Sequence, residues 1–526
     1  MEVRSILLLI KKLFRMARYL NLSVFLVIML PLFVSAQGAG LWCGTSVSDQ
    51  LQILERLDRN KAAMHEQAVV FRDFQYVPIK FHLVGRTDSS GMVAKDRVLR
   101  MLCLLNEDFA PLNIQFYIKD GFSLIYNDDI FEDHGNNTDF LRLVKDENAL
   151  NIFLPEDADP PNQTGLGQIL GYYSPSQDWL VIDKSEVGKD DLTIPHEVGH
   201  FFGLAHPFVG WEPEPWEESI HGNPVDRTIS PDGQTIVELA NGNNCASAGD
   251  RVCDTPADYL FGFGWNSCNF TPAVRDRFGD LLNPDELLWM NYFFGCDPDD
   301  YYFSDMQQQL IQQDLDSEER DFLKTGFQPN ATAITELPTA LAPATDETVS
   351  FFNSVNLSWS EVAGADAYLL QVALLPTFTT LTVYDELVTG NAQIINTLEP
   401  GRTYYWRVRP IQFHQSCTGF SEIFVFKTGD DKSTQGNDLV SAFEIAQNPV
   451  RSNQNLELTI QSNAAFNGSL RLYGVNGQVA QEYGKIDFPI GESAYTLPLG
   501  DLTTGIYFLA LDTEAGVLIK RLLVRP

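Results

Sequence analysis

The chain has 526 residues and a formal charge of −34, from 36 basic against 70 acidic side chains, a balance that repels phosphate backbones and anionic lipid and argues against nucleic acid as a partner. Its apolar share of 44% and aromatic share of 12% are those of a globular protein and exclude wholesale disorder. The length exceeds what one hydrophobic core holds, so several domains are expected.

Lys11, Lys12, Arg15 and Arg18 precede an apolar run from Leu22 to Val34, and Val34-Ser35-Ala36 is a small-residue cleavage signature, so residues 1–36 read as a signal peptide. The segment after Met16 forms a complete signal by itself. The run is short for a membrane span, and no later segment offers one, so a secreted protein without a stable membrane span is expected. Export permits disulfides, and Cys245, Cys253, Cys268 and Cys296 lie close enough in sequence to staple a loop-rich region. Four cysteines allow three pairings, and the odd total of seven leaves at least one thiol over.

Residues 37–75 read as a prosegment, helical from Ser46 to Val70, ahead of a buried strand from Val77 to Val84. A helix follows from Ala94 to Phe109, then strands at Ile114 to Ile118, Leu150 to Leu154, Gln168 to Tyr173 and Trp179 to Asp183. A further helix begins shortly after Pro195. The alternation predicts an α/β domain with a mixed twisted sheet over residues 76–328. From Pro207 to Leu282 periodicity gives way to glycine, proline and asparagine, a stretch that metals and disulfides are expected to hold. Ser304 opens a helix to about Lys324, with Gln307 placed for a capping box.

The chemistry concentrates in HEVGHFFGLAH, His196 to His206. Positions four apart share a helix face, so His196 and His200 can direct two imidazoles at one metal ion with Glu197 beside it. Gly203 can turn the chain in a left-handed conformation and return His206 as third ligand. Three neutral imidazoles leave a fourth tetrahedral position, the arrangement of a catalytic zinc, with Glu197 as general base for water attacking a polarised carbonyl.

Around Thr335 to Thr345 the composition shifts to alanine, threonine and proline, a linker. Val355 to Trp359, Ala367 to Val372 and Thr403 to Val408 then alternate at strand period and predict an antiparallel sandwich. With Trp359, Leu398, Pro400, Gly401 and Tyr404, the segment 337–429 resembles a fibronectin type III module, which implies carbohydrate or protein binding, or a spacer. Gly429 to Asn437 is a second linker. The closing LGDLTTGIYFLALDTEAGVLIKRLLVRP resembles the C-terminal sorting domain of the type IX secretion system of Bacteroidetes, over residues 443–526. That resemblance implies a second all-β sandwich, recognition by the type IX machinery, and an extracellular or cell-surface destination.

The zinc motif resembles that of the metzincin clan, which implies a methionine turn downstream; Trp289-Met290-Asn291-Tyr292 fits it, with Met290 as an ordinary core residue the alternative. Together with Gly249-Asp-Arg-Val-Cys-Asp-Thr-Pro256, the motif and MNY resemble the pappalysin family over about residues 76–326. The resemblance implies a zinc endopeptidase acting on proteins or peptides, with His196, His200 and His206 as ligands, Glu197 as base and Tyr292 stabilising the transition state. It further implies structural calcium at Asp250 and Asp254, where a simple turn is the alternative. Cys43 in Trp42-Cys-Gly-Thr45 resembles the prosegment cysteine of latent relatives and implies a zymogen zinc ligand; a disulfide with Cys103 or Cys417 is the alternative. Substrate is expected along the strand Gln168 to Tyr173, and Asp297, with Asp299 and Asp300, is a candidate specificity pocket for a basic side chain.

Overall fold

The computed structural model describes residues 41–526 apart from 67–73, 161–167, 264, 266, 432–438, 453, 475–477, 501, 514–515 and 526. The predicted signal peptide and the end of the helix expected to reach Val70 lie outside the described residues, as does most of the linker expected at Gly429 to Asn437. No described helix is long and apolar enough to cross a membrane.

The first layer is a seven-stranded sheet of β1 (Leu41–Cys43), β2 (Gln75–Gly85), β3 (Ile114–Ile118), β4 (Ser123–Tyr126), β5 (Leu150–Leu154), β6 (Gln168–Ser174) and β7 (Trp179–Ile182). Its order is β1-β6-β7-β5-β2-β3, with β4 also on β2, and every pair is parallel except β6 with β7. Parallel strands are covered on both faces, which is why β5 and β7 are apolar runs buried along their whole length and do not alternate. Four longer helices accompany the sheet: α1 (Val47–Glu66), α2 (Lys95–Asp108), α3 (Thr193–Phe201) and α4 (Asp305–Asp316). Ile53 and Leu57 of α1, Leu99 and Leu102 of α2, Val198 of α3 and Leu310 of α4 share one core with Phe81 of β2 and Met290.

Two expected boundaries move. The motif helix starts at Thr193, before Pro195, because a proline in the first turn removes an amide that has no intrahelical partner anyway. The single helix expected from Ser304 to Lys324 is two pieces: α4, opened by the capping box between Ser304 and Gln307, and a 3-10 helix Glu318–Leu323, separated by the extended Ser317.

Between residues 207 and 282 the described helices are Glu218–His221 and a 3-10 turn at Cys245–Ser247. The stretch is held by the disulfides Cys245–Cys253 and Cys268–Cys296 and by a separate aromatic core containing Phe208, Trp211, Tyr259, Phe261, Tyr292 and Phe293. Cys103 pairs with Cys417, so Cys43 is the free thiol.

The next unit is a sandwich of a three-stranded and a five-stranded sheet, with Trp359, Tyr368, Tyr404 and Trp406 in its core. The Tyr404 hydroxyl accepts the Glu399 amide at 2.8 Å, tying the corner that the sequence suggested. Its expected all-antiparallel pairing is broken once, where Phe424–Asp431 runs parallel to Glu347–Phe351, and the linker predicted at Thr335 to Thr345 contributes a strand, Ala340–Ala342.

This sandwich is fastened to the first layer. Ala367, Leu369 and Ile411 enter the core around α2, Ser416 Oγ donates to the Leu99 carbonyl at 2.6 Å, and the His414 carbonyl accepts Asn106 Nδ2 and Gln115 Nε2. Lys95 Nζ donates to the Asp385 carbonyl at 2.6 Å. A module hung as a spacer would not bury apolar side chains in its neighbour. Replacing Cys103 and Cys417 together by serine is expected to cost about 2–5 kcal/mol of unfolding free energy, read as a lower denaturant midpoint.

The last unit is a second sandwich: Val440–Ile445, Asn455–Ser462 and Gly491–Pro498 form one sheet, and Val450–Arg451, Gly516–Arg525, Gly505–Thr513, Phe466–Gly474 and Val479–Phe488 the other. Leu456, Leu458, Leu470, Leu509 and Leu522 fill it.

Candidate metal centre

Every residue of α3 is buried, so its two histidines cannot be solvent-facing ornaments of a surface helix. The helix ends at Phe201; Phe202 caps it, and Gly203 follows with φ +84°, a left-handed conformation that a side chain would strain. That turn brings His206 back toward α3. The Nε2 atoms of His196 and His206 are 3.1 Å apart, and those of His200 and His206 also 3.1 Å.

The other nitrogen of each ring is anchored. His196 Nδ1 donates to the Trp289 carbonyl at 2.8 Å, His200 Nδ1 to the Leu204 carbonyl at 2.7 Å, and His206 Nδ1 faces Glu212 Oε1 at 3.1 Å. Anchoring Nδ1 as donor leaves Nε2 of all three rings as bare acceptors aimed at one point. Burial pushes the basicity of His196 and His200 well below the ordinary range and that of His206 down to about 3, so the rings stay neutral.

Cys43 Sγ lies 3.5 Å from His200 Nε2, and the four ligand atoms of Cys43, His196, His200 and His206 all lie within 4.8 Å of one another. In a tetrahedral zinc site with Zn–N near 2.05 Å and Zn–S near 2.3 Å, neighbouring nitrogens are about 3.3 Å apart and nitrogen and sulfur about 3.6 Å. The donor set and its spacing therefore fit zinc. Glu197, next to His196 on α3, is buried; its Oε2 has no hydrogen-bond partner among the described residues, and burial raises its carboxyl to about 8. Cys43 hydrogen-bonds Glu197, and the Tyr292 hydroxyl meets the Cys43 backbone, which puts both predicted catalytic side chains around the thiol.

Met290 lies under α3 at Gly199, where a Cβ would collide with its sulfur. The close fit explains why the helix carries glycine between His196 and His200. Tyr292 packs edge-on against His206, ring centroids 5.2 Å apart.

The other predicted positions separate. Asp250 is fully buried, its Oδ1 accepting the Val252 amide at 2.9 Å, whereas Asp254 accepts from Ser304 Oγ and the Met306 amide at 2.7 Å each and so serves the start of α4. The acid that accompanies Asp250 is Glu238, which the sequence did not single out: it is 4% exposed and its Oε2 has no partner among the described residues. Burial raises both carboxyls, and Asp250 adds to the rise at Glu238. Two buried acids side by side with an orphaned oxygen suit a hard divalent cation. Asp297 caps the turn Pro298–Asp300, accepting the Asp299 amide, and none of its described contacts reaches the imidazoles. Glu212, on His206, was also missed; it falls six residues after His206 in a stretch without periodicity, and only its nearness in sequence to that histidine could have flagged it.

Residues 447–525 match the family model described as secretion system C-terminal sorting domain. The chain carries an export address. It therefore belongs at the cell surface or in the extracellular space. The chain is 28% identical over 194 residues to an extracellular metalloprotease of Neurospora crassa, covering 32% of this chain and 64% of that protein. It is 26% identical over 208 residues to extracellular metalloprotease 1 of Coccidioides posadasii, covering 33% and 71%. It thus spans a little under two thirds of the Neurospora relative. Among solved structures it is similar to the fibronectin(III)-like modules of Clostridium thermocellum CbhA, at 9% identity, 36% of this chain and 93% of that one, with a TM-score of 0.15, too low to carry an argument.

Proposed function

We propose that the chain is the latent form of a secreted zinc endopeptidase of the metzincin type, pappalysin-like, with a prosegment at 37–75, a catalytic domain at 76–328, a fibronectin-like module at 337–429 and a type IX sorting domain at 443–526. The observation that carries this reading is the convergence of three anchored imidazoles, with a thiol on their open side and, beside it, a glutamate oxygen without a partner among the described residues. The fungal relatives named as extracellular metalloproteases support it.

His196, His200 and His206 would hold the ion through Nε2, the atoms that converge. Bound there, zinc would supply the Lewis acidity that makes a water acidic near neutral pH and polarises a substrate carbonyl. Glu197 Oε2 accepts the proton of the attacking water and returns it to the departing amine, while Tyr292 donates a hydrogen bond to the oxygen on which charge grows. The buried, apolar surroundings strengthen both interactions.

The prosegment blocks this chemistry twice. Cys43 Sγ would take the open position on the ion, and β1 occupies the edge of β6 in parallel register, Leu41 opposite Gln168 and Cys43 opposite Gly171, with the Gly44 amide on the Gly171 carbonyl at 2.8 Å. An extended substrate needs the same edge. α1 holds the block in place: Arg56 pairs with the fully buried Asp314, Asn60 Nδ2 donates to the same carboxylate at 2.9 Å, and Ile53, Leu54 and Leu57 are buried. Protein lacking residues 1–75 is expected to cleave casein and to stop when 1,10-phenanthroline is added; no cleavage by folded, zinc-loaded protein would end the proposal.

Calcium fits at Glu238 and Asp250. Lys61 Nζ reaches the Arg251 carbonyl at 2.6 Å, so α1 also touches this loop. Calcium at roughly 100 times its Kd is expected to add about 2.7 kcal/mol of stability. EGTA should remove that increment in a thermal melt while zinc content stays constant, and Glu238→Gln should make the melt indifferent to calcium.

A further inference from the structure

The three imidazoles are not anchored alike. His196 and His200 give their Nδ1 protons to neutral backbone carbonyls, whereas His206 Nδ1 meets a carboxylate, Glu212 Oε1, at 3.1 Å. Glu212 is itself held: its Oε2 accepts the Gly210 amide at 2.7 Å, and its side chain is 14% exposed. The loop that carries it is tied back by Val209 N to the His206 carbonyl and Trp211 N to the Phe208 carbonyl, both at 3.0 Å, and by Asp232 N to the Gly210 carbonyl at 3.0 Å. Phe208 stacks on the His206 ring with centroids 4.5 Å apart, holding one face of the imidazole. A side chain held by two directional bonds in a tied loop is built to orient the ring and is not a surface acid in passing.

We propose that Glu212 is a positioning residue that forms a carboxylate–histidine–metal triad with His206, fixing its tautomer and making it the most strongly donating of the three ligands. The inference rests on the reading of the histidine cluster as a zinc site. A carboxylate accepting from the remote nitrogen makes the imidazole more basic toward the metal and spreads the metal's charge onto the acid. It also gives the buried acid a charge partner across the ring. Backbone carbonyls orient the other two rings but bring no charge. Glu212 meets the remote Nδ1 of His206 and not the Nε2 atoms that converge, so its action would pass through His206.

The test uses the full chain and zinc alone, with Kd measured by competition against a chromophoric chelator. Glu212→Gln keeps an oxygen that can accept from Nδ1 but removes the charge, and is expected to weaken zinc binding about 10–100-fold. A merely structural role would lower the melting temperature of the metal-free protein and leave the zinc Kd within twofold of the parent; that result overturns the triad. Should Glu212→Gln not fold, nitrogen-15 histidine spectra of the unaltered zinc-loaded chain decide: the His206 Nδ1 proton is expected furthest downfield of the three ligands. Three equivalent protons would overturn the proposal. An unaltered chain that takes up no stoichiometric zinc would sink the metal-site reading itself, whereas stoichiometric zinc with an indifferent Glu212→Gln sinks the triad alone.

Discussion

Glu197→Ala, made in protein freed of residues 1–75, should lower kcat for peptide cleavage by about 10²–10⁴-fold while leaving zinc bound, because only the proton acceptor is removed. Glu197 is 1% exposed and its neighbours His196 and Val198 keep their anchors without it, so α3 is expected to stay folded. Truncation to alanine also empties a buried carboxyl that costs desolvation, so the melting temperature should hold or rise, a trade of stability against activity common at catalytic groups. Glu197→Gln serves as the closer isostere. If either variant retains full activity with zinc in place, the glutamate is not the base and another acceptor must be sought.

Cys43→Ala in the full-length chain should raise casein cleavage from the latent level by about tenfold or more, since thiolate is among the strongest zinc ligands and its loss opens the position that water needs. Activation will stop short of that of the cleaved protein, because β1 still lies along β6 and Thr45 Oγ1 still accepts the Tyr173 amide at 3.2 Å. The gap between Cys43→Ala and the truncated protein therefore measures how much of latency is strand occupancy and how much is metal capping. A variant as silent as the parent would assign latency to the strand and to α1 alone.

The parts of the site that could be read from sequence are those whose geometry is set within a dozen residues. The spacing of His196 and His200 determines a shared helix face, and Gly203 is the residue that can turn left-handed at the helix end, where it has φ +84°. The strands of the first layer were legible because burial on both faces makes them unbroken apolar runs. What escaped was set by partners far along the chain. Nothing near Cys103 announces Cys417, and a count of cysteines cannot choose a pairing. β1 is three residues long and exists only through β6, more than a hundred positions away.

Asp254 is instructive in the other direction. An acid in a turn before proline has the composition of a calcium ligand, yet its two oxygens are spent on Ser304 and Met306 at the start of α4. The acid that faces Asp250 is Glu238, in a stretch whose turns carry no period. The docked sandwich escaped for a similar reason: Ala367, Leu369 and Ile411 alternate as any sandwich strand does, and alternation does not reveal which neighbour a face will meet.

The bond between Cys103 and Cys417 encloses the histidine motif, the loop-rich stretch and part of the sandwich in one covalent ring. Half-made chain cannot close that ring, so the α/β layer reaches its final form only after its neighbour has been synthesised and both have entered an oxidising compartment. Once closed, it also changes the meaning of damage. A single nick anywhere between the two sulfurs leaves the pieces tethered, so the half that carries the histidine cluster stays joined to the half that carries the export address.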